Sequence, residues 1–203
     1  RRYLPEFPEY EEVIKIKHLL NHTSGIRNYH TLMYLAGFDY DNSYYDNKTV
    51  LELACKQKGL NNLPGEKVSY SNTNYNLLAI IIERISKQNL NDFLNLKILS
   101  PLKMNSTFVR VEHGSPIKNK AVGYQKQKND YRFSTNNQLS YGAGSMGSSI
   151  NDMAIWMQML NEQISEFKHL AQFLKETEIL TSREKAKYAR GLMIDDYKGY
   201  ETI

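Results

Sequence analysis

Tyr70 and Asn72 stand two residues apart within Pro64-Gly65-Glu66-Lys67-Val68-Ser69-Tyr70-Ser71-Asn72-Thr73-Asn74-Tyr75-Asn76-Leu77-Leu78. In an extended segment side chains alternate, so both point to one side. A tyrosine beside an amide, just ahead of a helix N-terminus, suits acyl transfer. A phenol whose pKa is lowered by nearby cations can act as a base, and the amide can orient a substrate carbonyl or a lysine. The same residues also fit a plain strand-to-helix turn with asparagine as its cap.

Other candidates carry less. S-x-x-K, the pattern of a serine one helical turn from an activating lysine, occurs at Ser100-Lys103, Ser115-Lys118, Ser165-Lys168 and Ser182-Lys185. Ser100 and Ser115 each precede a proline, and Ser165 reads as a solvated helix face. Ser182 has the most favourable local context. All four follow Tyr70, and in a lysine-rich chain such matches are expected by chance. Gly142-Ala143-Gly144-Ser145-Met146-Gly147 fits G-x-G-x-x-G and loosely G-x-S-x-G, but Asn136–Tyr141 before it is no buried strand. It reads as a glycine-rich turn that lets backbone pack closely against the next helix. His18, His22, His30, His113 and His169 show no metal-ligand spacing. His18 and His22, at i and i+4, read as helix-end packing. No cofactor and no metal are expected.

The elements that must position these residues follow from periodicity and caps. A short helix is expected over 13–21, with Gly25 as its stop. Residues 26–47, with Tyr29, Tyr34, Phe38, Tyr40, Tyr44 and Tyr45, read as a long loop with one helical turn, a candidate pocket wall. Thr49-Val50-Leu51-Glu52 reads as a capping box opening a helix to about Lys58. A turn at 63–66 and an extended Val68–Ser71 lead into a strongly apolar helix over Thr73–Lys87. Another helix runs from Asn89–Asp92 to about Leu99, stopped by Pro101. Residues 105–141 are expected to be extended, with a strand at Ala121–Gln125. Ser149-Ile150-Asn151-Asp152 opens a helix to Leu160, and a further helix covers Ile164–Glu176. Tyr188–Ile194, a turn at 195–198 and Gly199–Ile203 form a hairpin pattern.

Composition narrows the classes. The 203 residues are 41% hydrophobic and carry a formal charge of +4, from 26 Lys+Arg against 22 Asp+Glu. That is enough chain for a packed core without staples. The basic excess is too small and scattered for nucleic acid. The longest apolar stretch, Leu77–Ile82, is far short of a membrane span. A single cysteine, Cys55, excludes an internal disulfide and a cysteine zinc cage. The chain opens at Arg1 without a methionine and stops at Ile203 inside a strand-like pattern, so both ends are expected to be cut.

Taken together, His18-Leu19-Leu20-Asn21-His22-Thr23-Ser24-Gly25-Ile26, Tyr70-Ser71-Asn72, Pro101–Thr107 and Gly144–Met153, with the opening Tyr3-Leu4-Pro5, appear in a specific order and spacing. In that order the chain resembles the serine hydrolases related to class C β-lactamases, D-alanyl-D-alanine carboxypeptidases and penicillin-recognising esterases, over roughly residues 1–203. The resemblance implies an α+β fold, here mainly its helical region with one or two antiparallel strands at the C-terminal end. It implies an S-x-x-K serine and lysine, a Y-x-N element, and a K-T-G or H-x-G strand. Only the second carries over, onto Tyr70 and Asn72 as catalytic residues. The first is expected upstream of Leu4-Pro5 and the third beyond Ile203, so the 203 residues alone are expected to be inactive. The implied substrate is a small-molecule or peptide ester, amide or β-lactam, and the implied location is periplasmic, at the envelope or secreted. Two other readings stand beside this one: a pseudoenzyme or binding module on the same fold, and a helical interaction domain with Tyr70 in its core.

Overall fold

The computed structural model describes residues 2–39, 43–112, 114, 116–134 and 138–203. The longest of its helices, α4 (Asn72–Ser86), is the element on which its neighbours are arranged. It begins after Ser71, whose backbone is extended, and stops at Lys87 in the left-handed conformation (φ 60°). Its Leu77, Ile80 and Ile81 recur at helical spacing and join Leu4, Phe7, Leu19, Ile26 and Ala54 in one core. Helices α1 (Ile16–Leu20), α2 (Tyr29–Leu35) and α3 (Asn47–Cys55) pack against α4. Helix α5 (Leu90–Leu94), capped by the Asn89 side chain, continues into a π-helical turn at Asn95–Leu99.

A second core joins Leu99, Leu102 and Met104 to Met159 and Leu160 of α6 (Ile150–Leu160) and Ala171 of α7 (Lys168–Lys175). Ser149 caps α6 as its sequence predicts, accepting from the Asp152 N–H. The buried Asp152 carboxylate then accepts from the Ser106 N–H (2.9 Å) and the Thr107 hydroxyl (2.7 Å), tying the 105–107 turn to the start of α6.

Among the described residues eight short strands form four pairs. β1 (Tyr45–Asp46) runs parallel to β5 (Gln138–Leu139). The antiparallel pairs are β2 (Phe108–Val109) with β6 (Met146–Gly147), β3 (Tyr124–Gln127) with β4 (Asp130–Phe133), and β7 (Asp195–Tyr197) with β8 (Tyr200–Thr202). The class is α+β, as expected. The strand pairs are spread along the chain, however, and not confined to its C-terminal end.

Several local expectations need correction. Residues 26–47 are not one long loop: α2 makes two turns, and Tyr29 and Tyr45 are buried with Met33 and Val50 in a small core of their own. Their hydroxyls have partners far along the chain, Ser140 for Tyr29 and Gln138 for Tyr45. Tyr40 of this segment lies outside the described residues. Helix α3 starts earlier than Thr49, because Asp46 is the cap and accepts from the Thr49 N–H and hydroxyl. The strand expected at Ala121–Gln125 forms at Tyr124–Gln127, where an antiparallel partner exists. The expected Ile164–Glu176 helix divides into a 3₁₀ turn at Ser165–Phe167 and α7. In the tail, Tyr188 and Met193 make one isolated bridge, and the hairpin proper turns at Lys198-Gly199. The glycine-rich turn packs against α4, not against the helix that follows it. Gly142 has φ +104°, and a Cβ there would run into the Tyr75 carbonyl and the Ala79 side chain.

Candidate active site

The first five residues of α4, Asn72 to Asn76, are polar ahead of the apolar run Leu77–Ile82, and they build the site's frame. Thr73, Asn74 and Asn76 are buried. The Thr73 hydroxyl donates to the Arg27 carbonyl (2.8 Å) and accepts from the Tyr29 N–H (2.9 Å), fixing α2 beside the start of α4. Asn74 Oδ1 accepts from Ser24 Oγ (2.7 Å), and Asn76 Nδ2 donates to Asn47 Oδ1 and the Tyr141 carbonyl, both at 2.9 Å. These bonds tie residues 24–29, the start of α3 and the Tyr141 backbone to the head of α4.

At the head of this frame Tyr70 is 59% exposed, and its hydroxyl donates to Asn72 Oδ1 at 3.3 Å. The two side chains share one side, at the N-terminal end of α4. Tyr70 is not in a closed core. Asn72 is half-buried, and its Nδ2 donates to His30 Nδ1 at 3.2 Å. With Nδ1 accepting, the neutral His30 ring carries its proton on Nε2, which faces the Tyr45 hydroxyl at 3.4 Å. Tyr45 in turn donates to Gln138 Oε1. Burial lowers the His30 pKa and pushes that of Tyr45 far up, so both stay neutral near pH 7. A polar line therefore runs from the exposed phenol inward along Tyr70, Asn72, His30, Tyr45 and Gln138. Such a line fixes the amide of Asn72 with its oxygen toward Tyr70.

Beneath Tyr70 lies His22, with ring centroids 4.2 Å apart. Tyr75 stacks at 5.0 Å and Tyr188 meets the imidazole edge-on at 4.7 Å. His22 is not part of α1, which ends at Leu20; its backbone is left-handed (φ 54°). His18 does belong to α1, where its Nδ1 accepts from the Lys15 N–H. The pair therefore does not face one ligand. Among the described residues no group of three His, Cys, Asp or Glu side chains is placed to hold a metal ion.

The S-x-x-K matches fall elsewhere. Ser100 ends the π-helical turn, Lys103 is left-handed, and both are exposed. Ser165 opens the 3₁₀ turn on the surface, with Lys168 paired to Glu162 at 3.8 Å. Ser182 sits exposed in a turn beside Arg183 (φ 71°). Ser115, like His113, lies outside the described residues.

The residues of the frame and the two histidines were not singled out as site residues from sequence. A signal for the frame was present: Asn72-Thr73-Asn74-Tyr75-Asn76 stands directly before the apolar run Leu77–Ile82, and five polar residues there need partners. For His22 and His30 no local signal exists, since the side chains and backbone that tie them to the site, Ser71 and Asn74 for His22 and Asn72 for His30, lie 40 or more positions away.

The sequence pattern of the family described as Beta-lactamase matches residues 1–203. The chain is 39% identical over 127 residues to "Penicillin-binding protein 4*" of Bacillus subtilis, a match covering 61% of this chain and 27% of that protein. It is 30% identical over 164 residues to "Protein flp" of Staphylococcus aureus, covering 79% and 32%. The chain thus spans about a third of the length of these curated relatives. The octameric penicillin-binding protein homologue of Pyrococcus abyssi superimposes with a TM-score of 0.74 at 26% identity, covering 95% of this chain and 46% of that one. A D-stereospecific amidohydrolase from Streptomyces shares the fold at the same TM-score and 22% identity, covering 98% and 64%.

Proposed function

Because the chain belongs to the beta-lactamase family, we propose that it is the Y-x-N-bearing part of a serine acyl hydrolase, with Tyr70 and Asn72 as its catalytic residues. In this reading residues 1–203 are an internal portion of one catalytic domain, and the nucleophilic serine and its lysine lie outside them. The serine hydroxyl attacks the carbonyl of an ester, amide or β-lactam. Its proton passes to the lysine–Tyr70 pair and from there to the leaving group, and an acyl-enzyme remains. Water then attacks the acyl carbon, gives its proton back through the same pair, and releases the acid. Asn72 holds the substrate amide or the lysine. The oxyanion is stabilised by backbone N–H groups of the serine and of a terminal strand, both outside these residues.

One observation carries this reading. The Tyr70 hydroxyl is open to solvent, directed at Asn72, and mounted at the head of a buried hydrogen-bonded frame.

The test uses the full-length protein that contains these residues. Tyr70→Phe keeps the ring and deletes the hydroxyl. Turnover of p-nitrophenyl acetate should fall by about 10²–10⁴, roughly 3–5 kcal/mol of barrier. A folded variant retaining more than about a third of the wild-type kcat would remove Tyr70 from proton transfer, because general acid–base catalysis contributes far more than that. Labelling by a fluorescent fluorophosphonate should occur on the full-length protein and fail on residues 1–203 alone. Failure on both would favour a binding module on the same fold.

A further inference from the structure

His22 is 1% exposed, and its contacts enclose Tyr70 from both sides along the chain. Its carbonyl accepts from the Ser69 N–H at 2.7 Å, and its ring Nδ1 accepts from the Ser71 N–H at 3.2 Å. The residue between them is Tyr70, whose phenol lies over the same imidazole. The ring is itself held. Asn74 Nδ2 also donates to Nδ1 (3.2 Å), with Asn74 Oδ1 taking the Ser24 hydroxyl and Ser24 Oγ taking the Ile26 N–H. Two donors on Nδ1 place the proton of the neutral ring on Nε2. That atom is buried with no hydrogen-bond partner, a cost that an apolar filler would avoid. The imidazole joins two things that an apolar filler does not: a ring face against the phenol, at 37° to it, and an in-plane acceptor for the adjoining backbone.

We propose that His22 is a positioning residue for Tyr70, a fixed plate that sets where the phenol oxygen lies relative to Asn72. The inference rests on the reading of Tyr70 as the proton-transfer group. Burial lowers the His22 pKa to about 4, so the plate is uncharged at neutral pH and adds no charge beneath the phenol. Tyr75, which donates to the Leu20 carbonyl, backs the imidazole from within the fold.

The experiment is a double-mutant cycle in the full-length protein, read as kcat and KM for p-nitrophenyl acetate, with thermal melts as the folding control. His22→Asn suits it, because asparagine tolerates the left-handed backbone and its Oδ1 can take over the Ser71 N–H, while the plate is lost. kcat should fall about tenfold with KM changed less than about twofold, the loss expected when a reacting group is displaced. In the Tyr70→Phe background the same substitution should cost less than about twofold more, since His22 acts through the hydroxyl already removed. Multiplying effects, or a loss confined to KM, would overturn the role of His22 while leaving Tyr70 as the proton-transfer group. A Tyr70→Phe variant with near-normal kcat would overturn both. Should His22→Asn fail to fold, His22→Gln carries the same cycle with the same outcomes.

Discussion

Lowering the pH should destabilise this fold through His22 in particular. The ring is buried among Tyr70, Tyr75 and Tyr188, and desolvation moves its pKa from 6.5 to about 4. The unfolded chain then binds a proton near pH 6.5, while the folded chain does not until about pH 4. Stability contributed by this site is therefore whole above about pH 7 and falls progressively between 6.5 and 4, levelling below. Integrating that difference gives about 1 kcal/mol at pH 5.5 and about 2–3 kcal/mol at pH 4.5. His22→Asn cannot titrate, and comparing it with the wild type cancels the contributions of His18 and His30. Urea denaturation of the full-length protein at about pH 7.5, 6.5, 5.5 and 4.5 measures it. The wild type should lose about 2 kcal/mol more than the variant across that range, a midpoint shift of about 1 M at an m-value near 2 kcal/mol/M. Two curves that run parallel to within about 0.5 kcal/mol would mean that the imidazole is hydrated or protonated in the folded state, and would refute its burial as the cause.

Gly142→Ala should destabilise by about 2–4 kcal/mol, from the φ of +104° and the collision with Tyr75 and Ala79, and a melt within about two degrees of wild type would contradict it. Asp152→Ala should cost about 2–3 kcal/mol at neutral pH by leaving the Ser106 N–H unpaired. Burial opposes ionisation of Asp152, but bonds from Thr107, Ser106 and Ser149 outweigh it and hold its pKa below 3.8; its contribution is thus present at neutral pH and lost as pH falls through the folded value, a loss the Ala variant should lack. Asn72→Ala, which removes the partners of both Tyr70 and His30, should lower kcat/KM about tenfold or more, and an unchanged value would take the amide out of the site.

What was legible in the sequence was what is decided locally. Helices α4 and α6 announce themselves through apolar spacing, and Ser149 caps α6 because a serine oxygen before an apolar run has a backbone donor waiting. Tyr70 and Asn72 share a side because strand-like alternation is a property of three residues. Residues 26–47 read as a loop from sequence because their tyrosines follow no period. Tyr29 and Tyr45 are buried only because Ser140 and Gln138, more than 90 positions later, receive their hydroxyls. Asp46 displaced Thr49 as the cap of α3 for a similar reason: β1 pairs with β5, which halts the chain one residue before the helix. The contact of Tyr70 with His22 needs the 22–25 turn to fold back on residues 69–71, and no spacing rule encodes that return.

The β3–β4 hairpin has every strand residue exposed, with Tyr124, Tyr131 and Phe133 on one face. It lies on an excursion of the chain whose base is closed where β2 meets β6, so its ends are held together independently of the tip. Lys128-Asn129 is accordingly a natural splice point: a reporter domain or affinity epitope grafted there would be carried outward from the body of the protein, leaving the helix head that bears Tyr70 undisturbed.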